Sequence, residues 1–547
     1  MVVTNLVQLD DIPLIDTPEC ESLGFADNVD AYRQFSGPAH LSGKNVISNE
    51  MGAVSTPAYS LTIPNLLFHV KRAAAGGVTM NVFHGSPFSG NYPNTTWPGY
   101  TTFAYMFTDM WNSIQPCWQH MKDMMDYVGR NQWSLQQGAP KVDLAFYLYE
   151  SSYVVLQEYP STNLQERGYT YDYLGSQNLL SSSATVKDGI LAPAGPAYKA
   201  LIFASDAFAA AAQQNLITIN AVQAVAKLSK AGLPIIFVGN PPNLTIPALA
   251  QKQLQLDISV QKLLSTKNVH QISSIDALPA TLSSLGISPR NSLNCSGGPI
   301  YAVWRSDVAT NTDYIFFYND QHISTSCEAH LTTSTGKTPY IYDSWTGTQQ
   351  PVLQYTRSKT GVSVPISLQA NQTMIVSLHS KVSSGVSPCP ISSIGSNVSS
   401  LTSSGKGTIY ANTLGPVTIT SSSGKTWSFK STPPPPTTLS TWNISVEDWH
   451  APEDRFEVKT ATTTHNFTSH ALVPWTELTP PPRLQDVGRC RPLHHLLHRS
   501  SCLSQNSRQR GGPPSRPCRT YHVRLSQRNA APSHRSYGSS ARYFRVC

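Results

Sequence analysis

Long apolar runs are missing from this 547-residue chain. Nowhere do about 18 consecutive hydrophobic residues occur, the length a membrane span needs, and Met1–Asp16 has neither the basic start nor the apolar stretch of a secretory signal. Charge is sparse, at 13% of residues. No two cysteines stand at C-x-x-C spacing, which removes the common zinc and thioredoxin-like redox sites. No G-x-G-x-x-G or Walker A sequence follows a strand-like run, so no dinucleotide is expected. Hydrophobic residues nevertheless make up 40% of the chain, enough to exclude disordered, collagenous and small disulfide-scaffold classes. The length predicts about three or four folding units in a soluble chain without an export signal of its own.

The formal charge of +7 comes from one segment. Between Arg483 and Cys547 there are 13 Arg, one Asp and neither Lys nor Glu, whereas the preceding 482 residues carry 26 basic and 31 acidic groups. The body is therefore mildly acidic, and neither nucleic acid nor membrane is expected as a partner. The terminal segment has no helical or strand period, is expected to be disordered, and reads as out-of-frame text better than as an RNA-binding arm. Five of the nine cysteines, Cys20, Cys117, Cys295, Cys327 and Cys389, lie in the body, with their pairing undetermined by spacing. Seven N-x-S/T sequons, at Asn94, Asn243, Asn294, Asn371, Asn397, Asn443 and Asn466, point to an exported, extracellular protein whose leader lies elsewhere.

Three β-type runs open the chain: Pro13–Asp16 leading to Glu19, Asn45–Ser48 leading to Glu50, and Gly77–Phe83 leading to His84. Helix-length stretches such as Asn65–Ala75 separate them, which implies parallel β/α units. Residues 102–138 read as a helix with a buried aromatic face that includes Trp111, Trp118, Tyr127 and Trp133. Strands at Lys141–Glu150, Leu201–Ala204 and Leu233–Gly239, with a helix at Ile219–Ala231, form a doubly wound α/β domain over 141–298. Short alternating strands then predict a β-sandwich over 299–380, a Ser/Gly/Pro-rich β segment and linker over 381–436, the start of a further β-domain over 437–482, and the tail over 483–547.

Glu19 and Glu21, in Asp16–Ser22, and Glu50, in Ser48–Ala53, follow expected parallel strands, where β/α barrels place their chemistry. Acetal hydrolysis needs one carboxyl to protonate the leaving oxygen and one carboxylate to activate water or attack carbon. His84, Tyr92 and Trp97 add an imidazole and aromatic rings suited to sugar faces, His84 being equally suited to a structural hydrogen bond. His40 and His69 read as structural.

The succession D-T-P-E-C-E-S at 16–22, G-P-A-H-L-S-G-K-N-V-I-S-N-E-M-G-A at 37–53, H-V-K-R-A-A-A-G-G-V-T-M-N-V-F-H-G at 69–85, W-P-G-Y at 97–100 and W-S-L-Q-Q-G-A-P-K-V-D-L-A-F-Y-L at 133–148 resembles family 106 glycoside hydrolases, the α-L-rhamnosidase group, especially secreted fungal relatives. The similarity continues more loosely through Tyr171–Tyr173 and Tyr342–Gly347 and covers approximately residues 10–480. It implies a (β/α)8 barrel, an accessory α/β domain and β-sandwiches. It also implies calcium-assisted, inverting hydrolysis of terminal α-L-rhamnosides from plant polysaccharide or glycoside. Carried over by position, Glu50 matches the general base, Glu19 a site glutamate that holds calcium or assists the acid, and Glu21 a neighbouring metal ligand.

Against that pattern, residues 1–140 supply only the last three or four of eight barrel strands. The chain thus reads as a central piece of an enzyme, with the acid supplied by the preceding part and its own activity in question. Two functions from different classes stand: a glycoside hydrolase, and a non-catalytic carbohydrate-binding or scaffold protein.

Overall fold

The computed structural model describes residues 9–25, 28–53, 61–85, 88–89, 100–101, 111, 113, 118–151, 157–209, 215–245, 249–334, 336–380, 391–394, 398–403, 408–413, 416–430, 441–450, 461–471, 520–526 and 541–545. Its first unit is a three-stranded parallel sheet of Glu19–Glu21, Ser48–Met51 and Met80–Phe83, in that order, joined through helices Val29–Leu41 and Ile63–Ala75. Pro13 lies in a short 3-10 helix, Ile12–Leu14, because the proline supplies a preset φ but no donor for a ladder. The sheet therefore begins later than the apolar run suggested, and Glu19, Glu21 and Glu50 sit inside the strands instead of after them. Three strands stand where the sequence reading anticipated part of a barrel, and no closed barrel is formed among the described residues.

The second unit is a five-stranded, wholly parallel sheet in the order Val269–Ile272, Ile235–Val238, Ala200–Phe203, Leu144–Tyr147, Tyr171–Leu174. In chain order this is 2-1-3-4-5, the flavodoxin-like form of a doubly wound fold. Both faces are buried. Ala145, Tyr147, Leu201, Phe203, Ile235 and Phe237 pack against helices Ile219–Lys230 and Ala250–Leu264, while Leu144, Phe146, Ile202, Ile236 and Val238 face Tyr159, Tyr173, Phe208 and Leu282. That double burial explains why these strands are continuous apolar runs.

The third unit packs a four-stranded antiparallel sheet against a six-stranded one over a core of Trp304, Ile315, Phe317, Leu331, Val364, Ile366 and Leu378. It begins at Asn291, not 299, and its larger sheet borrows Ala139–Lys141, which pairs antiparallel with Tyr301–Asp307. The expected strand Lys141–Glu150 is thus two strands in two different sheets. Cys295 and Cys327, opposite one another on neighbouring antiparallel strands, form a disulfide, and Cys20 is a buried free thiol.

Helix Val29–Leu41 joins the first two units. Gly37 lets it lie on Tyr171–Leu174, since a Cβ there would fall 2.2 Å from the Tyr173 carbonyl oxygen. Buried Asp30 accepts from the Tyr171 and Tyr173 hydroxyls, both at 2.8 Å, and from the amides of Glu158 and Tyr159. Arg33 lies 3.7 Å from its carboxylate and stacks on Tyr171 at 4.1 Å. About two helical turns beyond Arg33, His40 Nδ1 and the Tyr198 hydroxyl each stand 2.8 Å from the Asp172 carboxylate. The sandwich is fixed by buried Arg305, which donates to the carbonyls of Gln137 and Gly138 and to Asn45.

Helix Lys122–Leu135 replaces the longer one expected over 102–138; residues 102–110 lie outside the described residues. Met124, Tyr127, Val128 and Leu135 are buried, but Trp118 and Trp133 are exposed. Trp133 is nine positions from Met124, which at 100° per residue puts it on the opposite side of the helix. Beyond the sandwich, strands Thr408–Thr413, Pro416–Ser421 and Trp442–His450 fall near their expected places, and Ala461–His470 pairs with the last. Two strands lie in the Arg-rich tail, where none was anticipated: Thr520–Ser526 pairs with Trp442–His450, and Ala541–Arg545 with Thr408–Thr413. The alternation Tyr521, Val523, Leu525 is a strand signal masked by the surrounding arginines. The polyproline spacer lies outside the described residues. No described helix is long and apolar enough to cross a membrane.

Removing the Asp30 carboxylate leaves Arg33 and two tyrosine hydroxyls buried without their acceptor. Asp30→Ala is expected to cost about 3–5 kcal/mol of unfolding free energy, with Asp30→Asn losing less, as read from urea denaturation midpoints.

Candidate active site

Register decides which side chains meet. Glu19 is opposite Ser48, Cys20 opposite Asn49, and Glu21 opposite Glu50; in the next pair, Glu50 is opposite Val82 and Met51 opposite Phe83. Successive side chains alternate between faces. Cys20, Ile47 and Met51 enter the apolar core formed with Tyr32, Phe35, Leu66 and Val70. The other face carries Glu19, Glu21, Ser48 and Glu50, the three glutamates half-buried, beside exposed Val82. Glu21 and Glu50 are direct neighbours at the spacing of adjacent strands, about 4.8 Å between backbones.

Glu19 shares this face with Glu50 but sits one step lower, where Ser48 Oγ donates to its Oε2 at 2.6 Å. Glu50's direct cross-strand partner is therefore Glu21, which the family resemblance placed only as a neighbouring metal ligand. Ser48 escaped the sequence reading altogether; an i, i+2 link between Ser48 and Glu50 was the available signal.

The electrostatics separate the carboxyls. Burial raises the pKa of Glu21 above the ordinary glutamate value, and the charge of Glu50 raises it further. His84 follows the third strand directly, its amide donating to the Met51 carbonyl and its carbonyl accepting from the Trp111 amide. Burial lowers the imidazole pKa, and the nearby Glu50 charge opposes that shift. His84 therefore belongs to the same electrostatic neighbourhood as Glu50 and Glu21. Gly52, at φ +97°, turns the chain after Glu50, and a Cβ there would meet Trp111 Nε1 at 2.7 Å. Buried Trp111 thus backs the end of the glutamate strand. Tyr92 and Trp97 lie outside the described residues.

Calcium prefers six to eight oxygen ligands. Among the described residues no group of three or more His, Cys, Asp or Glu side chains could hold a metal ion. Glu19 and Glu21 alone do not make an ion site.

Carboxyl groups aligned on one face at the ends of parallel strands meet a matching family pattern. The model of the glycoside hydrolase 106 family, α-L-rhamnosidase, matches residues 18–357, more than half of the chain, including all three glutamates and His84. The chain belongs to this family.

A solved neighbour, the rhamnosidase from Novosphingobium sp. PP1Y, superposes with a TM-score of 0.56 at 17% identity, covering 80% of this chain and 43% of its own. That likeness supports the shared fold. A curated Formosa agariphila protein, provisionally named a beta-glucuronidase, is 32% identical over 187 residues, which is 32% of this chain and 14% of that protein. The chain thus spans less than half the length of either relative.

The raised pKa of Glu21 has a stability consequence with a definite sign. Its folded-state stabilisation is fully present below the unfolded carboxyl pKa and is lost as pH rises through the higher folded value. Glu21→Gln is therefore expected to raise the unfolding temperature at pH 7 by about 1–3 °C and to leave it unchanged at acid pH. Calorimetric scans across pH check this, and an equal effect at both ends would remove the electrostatic explanation.

Proposed function

We propose that this glycoside hydrolase family 106 chain acts in the hydrolysis of terminal α-L-rhamnosides of plant polysaccharides or glycosides. The adjacent placement of Glu21 and Glu50 on an open polar face, backed by an apolar core, carries the proposal. Two carboxyls so close cannot both ionise freely, and such pairs split into an acid and a base.

Glu50 is assigned as the base that takes a proton from the attacking water. Glu21, held toward its protonated form by burial and by the charge of Glu50, is assigned as the protonated neighbour of the base, and the leaving oxygen takes its proton from a carboxyl beyond the described cluster. Water attacking opposite the leaving group inverts the anomeric carbon, an outcome that needs about 6.5–9.5 Å between base and acid to admit the water, more than direct cross-strand neighbours provide. Glu19 is assigned to the support of this pair, its carboxylate steadied by Ser48. His84 is assigned to the sugar-binding edge.

Export to the cell exterior belongs to the same proposal. The Cys295–Cys327 disulfide supports it, because such bonds persist in oxidising compartments, and the sequon asparagines Asn243 and Asn294 are exposed.

Hydrolysis of an aryl α-L-rhamnoside tests the assignment directly. Glu50→Gln is expected to lower turnover by about 10²–10⁴-fold with an unchanged circular dichroism spectrum, because a neutral amide cannot take the proton. Near-normal turnover in that variant would remove Glu50 from the base role.

We propose separately that calcium binds, with Glu19 contributing to a site completed by groups beyond the described cluster. Added calcium is expected to raise the unfolding temperature of the wild type but not of Glu19→Gln, and a melting curve indifferent to calcium and chelator would dismiss the ion.

A further inference from the structure

Helix Lys122–Leu135 meets the glutamate-bearing sheet through Met124, Tyr127 and Val128 in their shared core and through polar contacts, where Gln132 Oε1 accepts from the Asn81 amide and Gln136, just past the helix, donates to the Thr79 carbonyl. Another side of the helix meets the sandwich at strand Thr338–Asp343 and the turn after it. There the indole of Trp345 lies on the ring of Tyr127, with centroids 4.2 Å apart and planes 20° from parallel. Tyr127 is buried beneath it, yet Trp345 remains 49% exposed. One face of the indole is therefore seated on protein and the other meets water.

The geometry is fixed by polar contacts. The Trp345 amide donates to Asp343 Oδ1 at 2.9 Å, and its carbonyl accepts from Arg130 Nη1 at 2.8 Å. Arg130 also holds the Ser344 carbonyl and approaches Asp126. Three residues along the same helix from Arg130, and so beside it on the helix surface, stands Trp133. It is 50% exposed, with its ring edge-on to Tyr314 at 5.5 Å and near-parallel to Tyr342 at 6.5 Å. Tyr342 in turn stacks on His379, which is within hydrogen-bonding distance of exposed Gln349 at 3.2 Å.

Two half-exposed indoles on rigid supports, separated by a guanidinium and bordered by an amide, make an unusual solvent face. Core packing accounts for the buried tyrosines but not for the indole surface left in water. Apolar CH faces of pyranose rings match such indoles, while ring hydroxyls match the bordering Arg130, Asp126 and Gln349. A surface held in its binding geometry before the ligand arrives loses little conformational freedom on binding.

We propose that Trp345 and Trp133 form a second carbohydrate-binding platform, away from the glutamate row, that holds pyranose units of a polymeric glycan. The choice of a glycan rests on the rhamnosidase reading, but the readout, binding, does not require turnover. The platform gives the protein a grip on polymer that a small aryl rhamnoside does not use.

Native electrophoresis of the full chain through gels containing rhamnogalacturonan, at a series of concentrations, tests this. Wild-type protein is expected to be retarded, with the apparent dissociation constant raised roughly tenfold in Trp345→Ala and in Trp133→Ala. Aryl rhamnoside hydrolysis is expected to stay unchanged in both. Trp345→Phe, which keeps a ring on Tyr127, should retain most of the retardation and the wild-type melting temperature, separating loss of the ring from loss of the fold. Polysaccharide should also protect wild-type tryptophan fluorescence from acrylamide quenching. Equal retardation of wild type and both alanine variants, or none in the wild type, overturns the platform. Tryptophan-dependent retardation without hydrolysis would leave the platform standing and sink the proposed activity, whereas hydrolysis without tryptophan-dependent retardation would do the reverse.

Discussion

The buried carboxylate of Asp30 is the constraint from which the arrangement of the first two units follows. It sits on the helix that connects strand Glu19–Glu21 to strand Ser48–Met51, and it takes four hydrogen bonds from the accessory domain while facing Arg33. A carboxylate removed from water is tolerated only when its acceptors are filled, and here tyrosine hydroxyls and backbone amides fill them. Asp172 repeats the solution further along the helix with His40 and Tyr198. Two buried acids, one on each side of the interface, hold the helix on the strand Tyr171–Leu174, and Gly37 permits the close approach. The glutamate-bearing strand is thereby anchored through the helix that follows it.

That anchoring matters because the chemistry of the glutamate row depends on register. A shift of one residue along Glu19–Glu21 would turn Cys20 toward the open face and both glutamates into the apolar core, an exchange that burial of unpaired charge forbids. In the observed register Glu21 and Glu50 face the same solvent layer, and the charge of Glu50 adds to burial in raising the pKa of Glu21. The raised pKa of Glu21 and the depressed pKa of His84 have one dominant cause, partial burial, but Glu50 acts on both in the same direction, favouring the protonated form of each. Glu50 thus acts on both neighbours in one sense, reinforcing burial at Glu21 and opposing it at His84.

Much of this was legible in the sequence where the physics is local. Continuous apolar runs such as Ile235–Val238 announced buried parallel strands, and the alternating Gly361–Leu368 announced a half-buried antiparallel one. The glutamates were recognisable by their place near strand ends. Their pairing was not, because the identity of Glu50's neighbour depends on which backbone atoms hydrogen-bond across two strands separated by a helix. Strand Ala139–Lys141 was misread for a related reason: its partner, Tyr301–Asp307, lies more than 150 positions away, so continuity with Leu144–Tyr147 was the stronger local signal. Thr325–Thr332 turns Thr325, Cys327, Ala329 and Leu331 inward, and with one large apolar residue among the four its strand signal stays weak until a disulfide and a neighbouring sheet enclose it.

Helix Lys122–Leu135 shows how one element can serve three surfaces. Met124, Tyr127 and Val128 belong to the core beneath the glutamate sheet, Gln132 holds the strand that leads to His84, and Arg130 with Trp133 faces outward against the sandwich turn. The sequence pattern suggested a single buried aromatic face because tryptophan was weighed by its size and not by its angle around the helix. Once that angle is included, the outward indole requires another explanation than packing. Neighbouring Trp345 supplies the constraint: its ring is held by Tyr127, its amide by Asp343 and its carbonyl by Arg130, so that its free face has a fixed direction. Fixed direction distinguishes a recognition surface from a merely exposed side chain, since a freely rotating indole would lose on binding much of what stacking provides.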